Sequence, residues 1–365
     1  MTDYSGVMKL SIIIVVYRAE AYIFERMSQF LSNDLSDIQI VVVVCEDGHD
    51  KSAEICKKLL RGNKNASVII QSDKGLSVAR NTGLMAASGE YVFFMDCDDI
   101  ILEPGFSELM EKLSQTASDA FVGKFALLQS NGKDRWPQYS LPAVSGASEA
   151  RQVIYTDLPD SIWNVWRYVC RRDFLIQNEL YFVPGLISED VEWTPRMLEC
   201  AEQITFVDST IYGYFYNHTT QLSRRINPKR THDINETVLN GILKYKNKPY
   251  GKAICNRLIR ESFYSISTYC RFSSADRKKL RPIIDECVKQ YHHSTSKQVR
   301  LFMKSRVFIP LYIWSAVLLA AKALRNWFKS LLGANKAWSS NVKSKFHDGI
   351  SANGISKKAD RRKPL

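Results

Sequence analysis

A chain of 365 residues, 45% hydrophobic and 24% charged, is long enough to bury a full core and has the composition of a globular protein. Its eight cysteines include no C-x-x-C pair, which argues against a zinc site or a disulfide framework and suits a reducing compartment. The net charge of +12 is uneven: residues 297–365 carry 15 Lys+Arg against 2 Asp+Glu, so the body is close to neutral and the tail is basic.

The start, MTDYSGVMK, has no secretory-leader pattern. Leu10–Tyr17 is then an unbroken β-branched run, the pattern of a strand buried on both faces. A helix is predicted over Glu20–Leu31, a strand over Ile38–Cys45, a helix over Ser52–Leu60 and a strand over Ala66–Gln71. The helix predicted over Leu76–Ala87 stops near Ser88-Gly89, and a fourth strand follows over Tyr91–Met95. This alternation implies a doubly wound, mostly parallel α/β sheet. Beyond it come a helix over Phe106–Leu113 and a strand over Ala120–Leu128. Residues 129–160 are loop-like, with a short helix over Ser148–Tyr155, and residues 162–170 are rich in aromatics. A helix opens at Glu189 and runs to Cys200, two short strands follow over Ile204–Val207 and Thr210–Tyr216, and residues 231–293 are mainly helical.

In such sheets ligands bind beyond the carboxyl ends of the strands. Polar and acidic residues follow three of them: Tyr17-Arg18, Glu46-Asp47-Gly48, and Asp96-Cys97-Asp98-Asp99. Three carboxylates within four positions repel one another unless something pairs with them. The cluster reads either as a capping loop or as a site for a hard divalent cation, which takes one or two protein carboxylates and fills its shell with phosphate oxygens. Asp47 is either an Asp-Gly turn or an acceptor for a base N–H or a ribose hydroxyl. Arg80 is a surface arginine or a phosphate or base-carbonyl contact. Glu189-Asp190 is a helix cap or supplies a general base for an attacking hydroxyl. His218 is structural or a metal or phosphate ligand. Trp163 and Trp166 belong to the core or offer a stacking face for a sugar.

The blocks SIIIVVYRAEAYI, IVVVVCEDGHDKS, GLSVARNTGLMAASGEYVFFMDCDD and ISEDVEW, in this order, resemble the signature of glycosyltransferase family 2 across about the first 215 residues. The resemblance implies a GT-A fold, a Rossmann-like nucleotide-binding half merged with an acceptor-binding half. It implies inverting transfer of a sugar from a nucleotide-sugar donor, with UDP as the default nucleotide. By that resemblance Val16 and Tyr17 hold the nucleobase with Asp47, Arg80 sits near the base or diphosphate, and Asp96 approaches the ribose. Asp98 binds Mn2+ or Mg2+, and Asp190 is the catalytic base. Apart from the resemblance, His218 is a further candidate metal ligand, and Glu189, Trp163 and Trp166 are candidates for the acceptor side. The chain departs from the usual family pattern where Val15-Val16-Tyr17-Arg18 replaces Pro-Val-Tyr-Asn, and where Glu46-Asp47-Gly48-His49 replaces Asp-Asp-Gly-Ser.

Two other classes fit the sequence less well. A nucleotidyltransferase making nucleotide sugars wants a glycine-rich, lysine-bearing loop after the first strand, and VVYRAEAY has no glycine. A basic-tailed nucleic-acid-binding protein is disfavoured by the near-neutral body, and no nucleic-acid partner is expected. Residues 307–321 form a 15-residue uncharged run, short of the roughly 20 needed to span a bilayer. With the basic, aromatic continuation it predicts an amphipathic helix over 301–332 lying on an anionic membrane surface, where a lipid-linked glycan acceptor would be met. The expected organisation is a catalytic domain over 1–225, a helical extension over 226–300, the amphipathic helix, and a basic tail over 333–365. The expected location is the inner face of the cell membrane, as a peripheral protein.

Overall fold

The computed structural model describes residues 8–30, 36–46, 48–72, 75–129, 134–144, 146–158, 162–216 and 227–305, with a few isolated positions between 313 and 324. The first half alternates as its apolar runs require: β1 (Leu10–Val16), α1 (Ile23–Ser28), β2 (Ile38–Glu46), α2 (Ser52–Leu59), β3 (Ala66–Ser72), α3 (Leu76–Ala86) and β4 (Tyr91–Asp96). There follow β5 (Ile100–Ile101), α4 (Gly105–Gln115), β6 (Ala120–Leu128), α5 (Ala147–Thr156), β7 (Tyr168–Arg171), α6 (Arg172–Gln177), α7 (Glu189–Cys200) and β8 (Ile204–Phe215). Four helices complete the described chain: α8 (Pro228–Tyr245), α9 (Gly251–Ser265), α10 (Ser274–Gln290) and α11 (Lys297–Ser305).

One eight-stranded sheet runs in the order β3-β2-β1-β4-β7-β6-β8-β5. β1 lies between β2 and β4, parallel to both, and β3 extends the parallel half. β7 is antiparallel to β4 and to β6, whereas β8 is parallel to β6. The chain winds outward from β1 to β3 and then returns to place β4 on the other side of β1. That reversal opens the crevice where ligands bind in α/β sheets. The register pairs Val15 with Asp96 and Val16 with Val44, so the carboxyl ends of β1, β2 and β4 share one rim.

Successive side chains alternate between the two faces of the sheet. Ile13 and Val15 join Val41, Val43 and Phe94 in a core shared with α3, α7 and the C-terminal helices. Leu10, Ile12, Ile14 and Val16 join Val42, Phe93 and Tyr91 under α1, α2 and α4. Helices α8, α9 and α10 contribute Val238, Leu258 and Ile284 to the first of these clusters, so the helical extension and the sheet share an apolar core.

Three sequence expectations shift. Helix α1 is shorter than Glu20–Leu31, because the chain before it is tied to the start of α2: Ala19 N–H donates to Ser52 Oγ at 2.9 Å and Glu20 Oε2 accepts from Lys51 N–H at 3.1 Å. The two predicted strands 204–207 and 210–216 form one strand, β8. Its polar Asp208 is accommodated by a break in register opposite Lys124 and by an ion pair to Lys124 Nζ at 2.8 Å. The aromatic stretch 162–170 is a 3-10 turn, Val165–Arg167, leading into β7.

Candidate active site

The rim begins at the end of β1. Val16 is buried, and Arg18 adopts a left-handed φ of 47°, which turns its guanidinium back to 5.3 Å from the Tyr17 ring centroid. Asp47 and His218 lie outside the described residues.

The acidic turn after β4 divides its three carboxylates between two jobs. Asp99 N–H donates to Asp96 O at 3.2 Å, closing the turn. Asp99 itself is fully buried. Its Oδ2 accepts from Tyr212 Oη–H at 2.6 Å and its Oδ1 from Phe215 N–H at 2.8 Å, while the Tyr212 hydroxyl accepts from Asp96 N–H at 3.2 Å. Burial and the neighbouring Asp98 and Asp96 hold the Asp99 carboxyl well above the usual carboxylate range. Asp99 therefore staples the turn to β8 and is closed off from solvent, whereas Asp96 and Asp98 stay partly exposed. Burial, then the charge of Asp96, raises Asp98 to about 6, and Arg26 opposes that rise. A half-buried carboxylate beside a second one is a place where a cation is stabilising. Among the described residues no three His, Cys, Asp or Glu side chains converge into a closed metal cage. The donor set fits a magnesium-like ion that takes one or two carboxylates and leaves its other positions for phosphate and water.

Helix α3 brings Arg80 to this rim. Gly83 lets the helix sit directly on β1, since a Cβ there would strike Ile13 Cγ2. Arg80 is only 4% exposed. Its Nη2 donates to Asp96 Oδ1 at 3.0 Å and its Nη1 pairs with Glu189 Oε1. A single guanidinium thus ties the end of β4 to the first residue of α7. Phe182 lies beneath it, 5.4 Å from ring centroid to guanidinium carbon.

Asp190 follows Glu189 on the first turn of α7. Burial, then Glu189, pushes its carboxyl up to about 7, Arg80 pulls it down, and Glu261 from α9 pushes it up again. The helix start is fixed on several sides. Ser188, in the left-handed region with φ 64°, has its Oγ bonded by Arg230 Nε at 3.0 Å. Ile187 N–H donates to Asp233 Oδ2 at 2.9 Å. Asn81, next to Arg80, both donates to Phe182 O and accepts from Phe182 N–H, each at 2.8 Å. Trp193 stacks on Phe182 with centroids 4.8 Å apart, and its Nε1–H donates to Leu180 O at 2.7 Å.

Of the sequence-nominated residues, the structure brings Arg80, Asp96, Glu189 and Asp190 together and sets Asp98 beside Asp96. Trp166 is buried against Tyr212, 4.7 Å away and nearly parallel, and so braces the strand that holds Asp99. Trp163 is also buried; its Nε1–H donates to Glu261 Oε1 at 3.1 Å and its C=O accepts from Thr194 Oγ1 at 2.6 Å. Sequence reasoning passed over Tyr212, Asp233 and Arg230, which are distant in the chain and carry no local motif. Asn81 was legible as the neighbour of Arg80 in ARN.

A Rossmann-like sheet whose rim presents an acidic turn, linked through a buried arginine to a carboxylate pair at a helix start, is the GT-A architecture. Residues 11–174 match the glycosyl transferase family 2 model. The uncharacterized glycosyltransferase EpsJ of Bacillus subtilis is 33% identical over 213 residues, which cover 57% of this chain and 61% of EpsJ. The uncharacterized glycosyltransferase YibD of Escherichia coli is 22% identical over 352 residues, covering 94% of this chain and 96% of YibD. In structure, Staphylococcus aureus TarS 1–349 in complex with UDP-GlcNAc superposes with a TM-score of 0.60 at 21% identity, over 86% of this chain and 88% of that one, and shares the fold.

Proposed function

We propose that the protein transfers a sugar from a nucleotide-sugar donor, a UDP-sugar, to a hydroxyl of a glycan acceptor, with inversion at the anomeric carbon. The observation that carries this reading is the buried link Asp96–Arg80–Glu189, which sets Asp190, with its carboxyl at about 7, across from the acidic turn. A carboxyl raised in this way, mainly by burial and the charge of Glu189, is a stronger base than a free carboxylate.

In the proposed step the acceptor oxygen attacks the anomeric carbon as the bond from that carbon to the diphosphate oxygen breaks. The acceptor proton goes to Asp190. The new glycosidic bond lies on the face opposite the departing diphosphate, so one displacement inverts the centre and no nucleophilic side chain is needed. Asp98 would hold Mn2+ or Mg2+ together with the donor's diphosphate, and the ion supplies positive charge to the leaving group when bound. In this reading Tyr17 and the Val16 backbone, at the end of β1, would hold the base, and Asp96 would approach a ribose hydroxyl. Arg80, already bonded to two carboxylates, acts in this scheme by orienting Asp96 and the start of α7. The structure of TarS with UDP-GlcNAc supports UDP as the nucleotide.

The acceptor we propose is a lipid-linked glycan at the inner membrane surface. The tail charge of 15 Lys+Arg against 2 Asp+Glu favours an anionic leaflet, and Leu301, Val317 and Leu324 are 60%, 48% and 55% exposed. Among the described residues no helix is long and apolar enough to cross a membrane. The predicted amphipathic helix over 301–332 and the basic tail lie largely outside the described residues. A panel of UDP-, GDP- and TDP-sugars, assayed for released nucleotide with Mn2+, tests the proposal. Turnover of one UDP-sugar, lost in Asp98→Asn and Asp190→Asn, is expected; failure of every nucleotide sugar to bind would end it.

A further inference from the structure

Helix α1 with its two capping residues lies beside the acidic turn, and Tyr22, Arg26 and Gln29, spaced i, i+4 and i+7, share one helical face. The Tyr22 hydroxyl lies 3.9 Å from Cys97 Sγ. The Arg26 guanidinium sits 3.9 Å from the centroid of Phe215, whose own N–H holds Asp99. Gln29 Oε1 accepts from Ile101 N–H at 2.8 Å. The outer contacts, at Cys97 and Ile101, bracket Asp98 and Asp99, and Arg26 lies between them. Its side chain is 12% exposed. Nη1 reaches outward to Glu25 Oε1 at 3.1 Å, while the buried Nε has no hydrogen-bond partner among the described residues. A guanidinium cannot lose its charge at any working pH. The fold therefore keeps a permanent cation, largely screened from water, against a turn that carries Asp96 and Asp98.

We infer that Arg26 is the built-in counter-cation of the acidic turn and that it makes divalent-metal binding conditional on the nucleotide. This inference rests on the proposed metal role of Asp98. With Arg26 in place, part of the negative charge of Asp98 is already compensated, so an incoming dication meets a weaker field. A nucleoside diphosphate adds at least two negative charges at the rim and tips the balance toward the metal. Without Arg26, Arg80 still holds Asp96 but Asp98 loses its compensation, so the turn presents a stronger field and the metal depends less on the nucleotide. A cation largely removed from water is screened less by salt than an exposed one, so the effect persists at moderate ionic strength.

The test is the Mn2+ dissociation constant of the full chain at pH 8, read from the electron paramagnetic resonance signal of free Mn2+, with and without UDP. Wild type is expected to bind Mn2+ weakly alone and much more tightly with UDP. Arg26→Gln is expected to bind Mn2+ alone on the order of tenfold more tightly, which shrinks the UDP dependence. Arg26→Lys keeps the charge and should behave as wild type. Phe215→Leu keeps the backbone N–H that holds Asp99 but removes the seat of the guanidinium, and should move in the same direction as Arg26→Gln; it stands in if that variant does not fold. A wild type that binds Mn2+ through Asp98, as shown by its loss in Asp98→Asn, together with an unchanged constant in folded Arg26→Gln, would overturn this inference and leave the metal reading intact. No Mn2+ binding by wild type even with UDP would overturn both.

Discussion

Replacing Arg80 by glutamine perturbs the site at its most buried charge. The guanidinium is 4% exposed, the Glu189 side chain it pairs with is 8% exposed, and the Asp96 side chain is 33% exposed. Removing one partner of a buried ion pair leaves an uncompensated charge and costs about 3–5 kcal/mol. Water reaches Asp96 and relieves part of its share, so the loss belongs to that range and not to twice it. At about 2.1 cal/mol/K per residue of unfolding entropy, a chain this long should lose roughly 4–7 °C of Tm. The loss has a pH signature. Arg80 lowers the Asp190 carboxyl, which already stands at about 7, so without it the folded-state pKa of Asp190 moves further above its unfolded value. A group raised in this way contributes stability below its unfolded pKa, near 4, and loses it as pH rises through the folded value. The Tm gap between Arg80→Gln and wild type should therefore widen as pH rises beyond about 7. The rising limb of kcat/KM should move to higher pH as well. Melting curves by circular dichroism between pH 5 and 9, with pH–rate profiles on both proteins, read the two effects. A variant that melts with wild type at every pH and keeps the same limb would refute the linking role of Arg80.

Tyr212→Phe removes the hydroxyl that bonds buried Asp99 and should cost about 1–3 kcal/mol in a denaturant titration, since it leaves a buried acceptor short of a partner. Asn81→Ala removes both bonds to Phe182 beneath α7; kcat should fall while the UDP dissociation constant by calorimetry stays near wild type. Mn2+ with UDP should raise the Tm of wild type in proportion to RT ln(1 + [L]/Kd), and EDTA or Asp98→Asn should abolish the rise.

The parallel half of the sheet was legible because β1, β2 and β4 are near-continuous apolar runs, the pattern of strands covered on both faces. The rim was legible for the same reason: wherever such a run ends, the next polar residue must face the crevice. β8 was misjudged as two strands because Asp208 breaks its apolar pattern, and its accommodation depends on Lys124, 84 positions away in the chain. Within DCDD the sequence cannot separate Asp99 from Asp98, since both are aspartates on one short turn. Tyr212 and Phe215, more than a hundred residues later, make one a structural staple and leave the other open to the rim. Arg80 shows the same limit. Its identity suggests a phosphate contact, whereas its partners are Asp96 and Glu189, and the second arrives 109 residues further along.

The central claim is that Asp190 takes the acceptor proton. Its most direct test is the rate of sugar transfer by Asp190→Asn, the isosteric amide, from the UDP-sugar that wild type turns over, with UDP affinity measured on the same preparation. Removing a general base costs about 10²–10⁴-fold in rate. We predict a loss of that size in kcat at an unchanged UDP dissociation constant, and a rate no longer rising with pH through about 7. A folded Asp190→Asn protein that transfers at the wild-type rate with the wild-type pH profile would contradict the account.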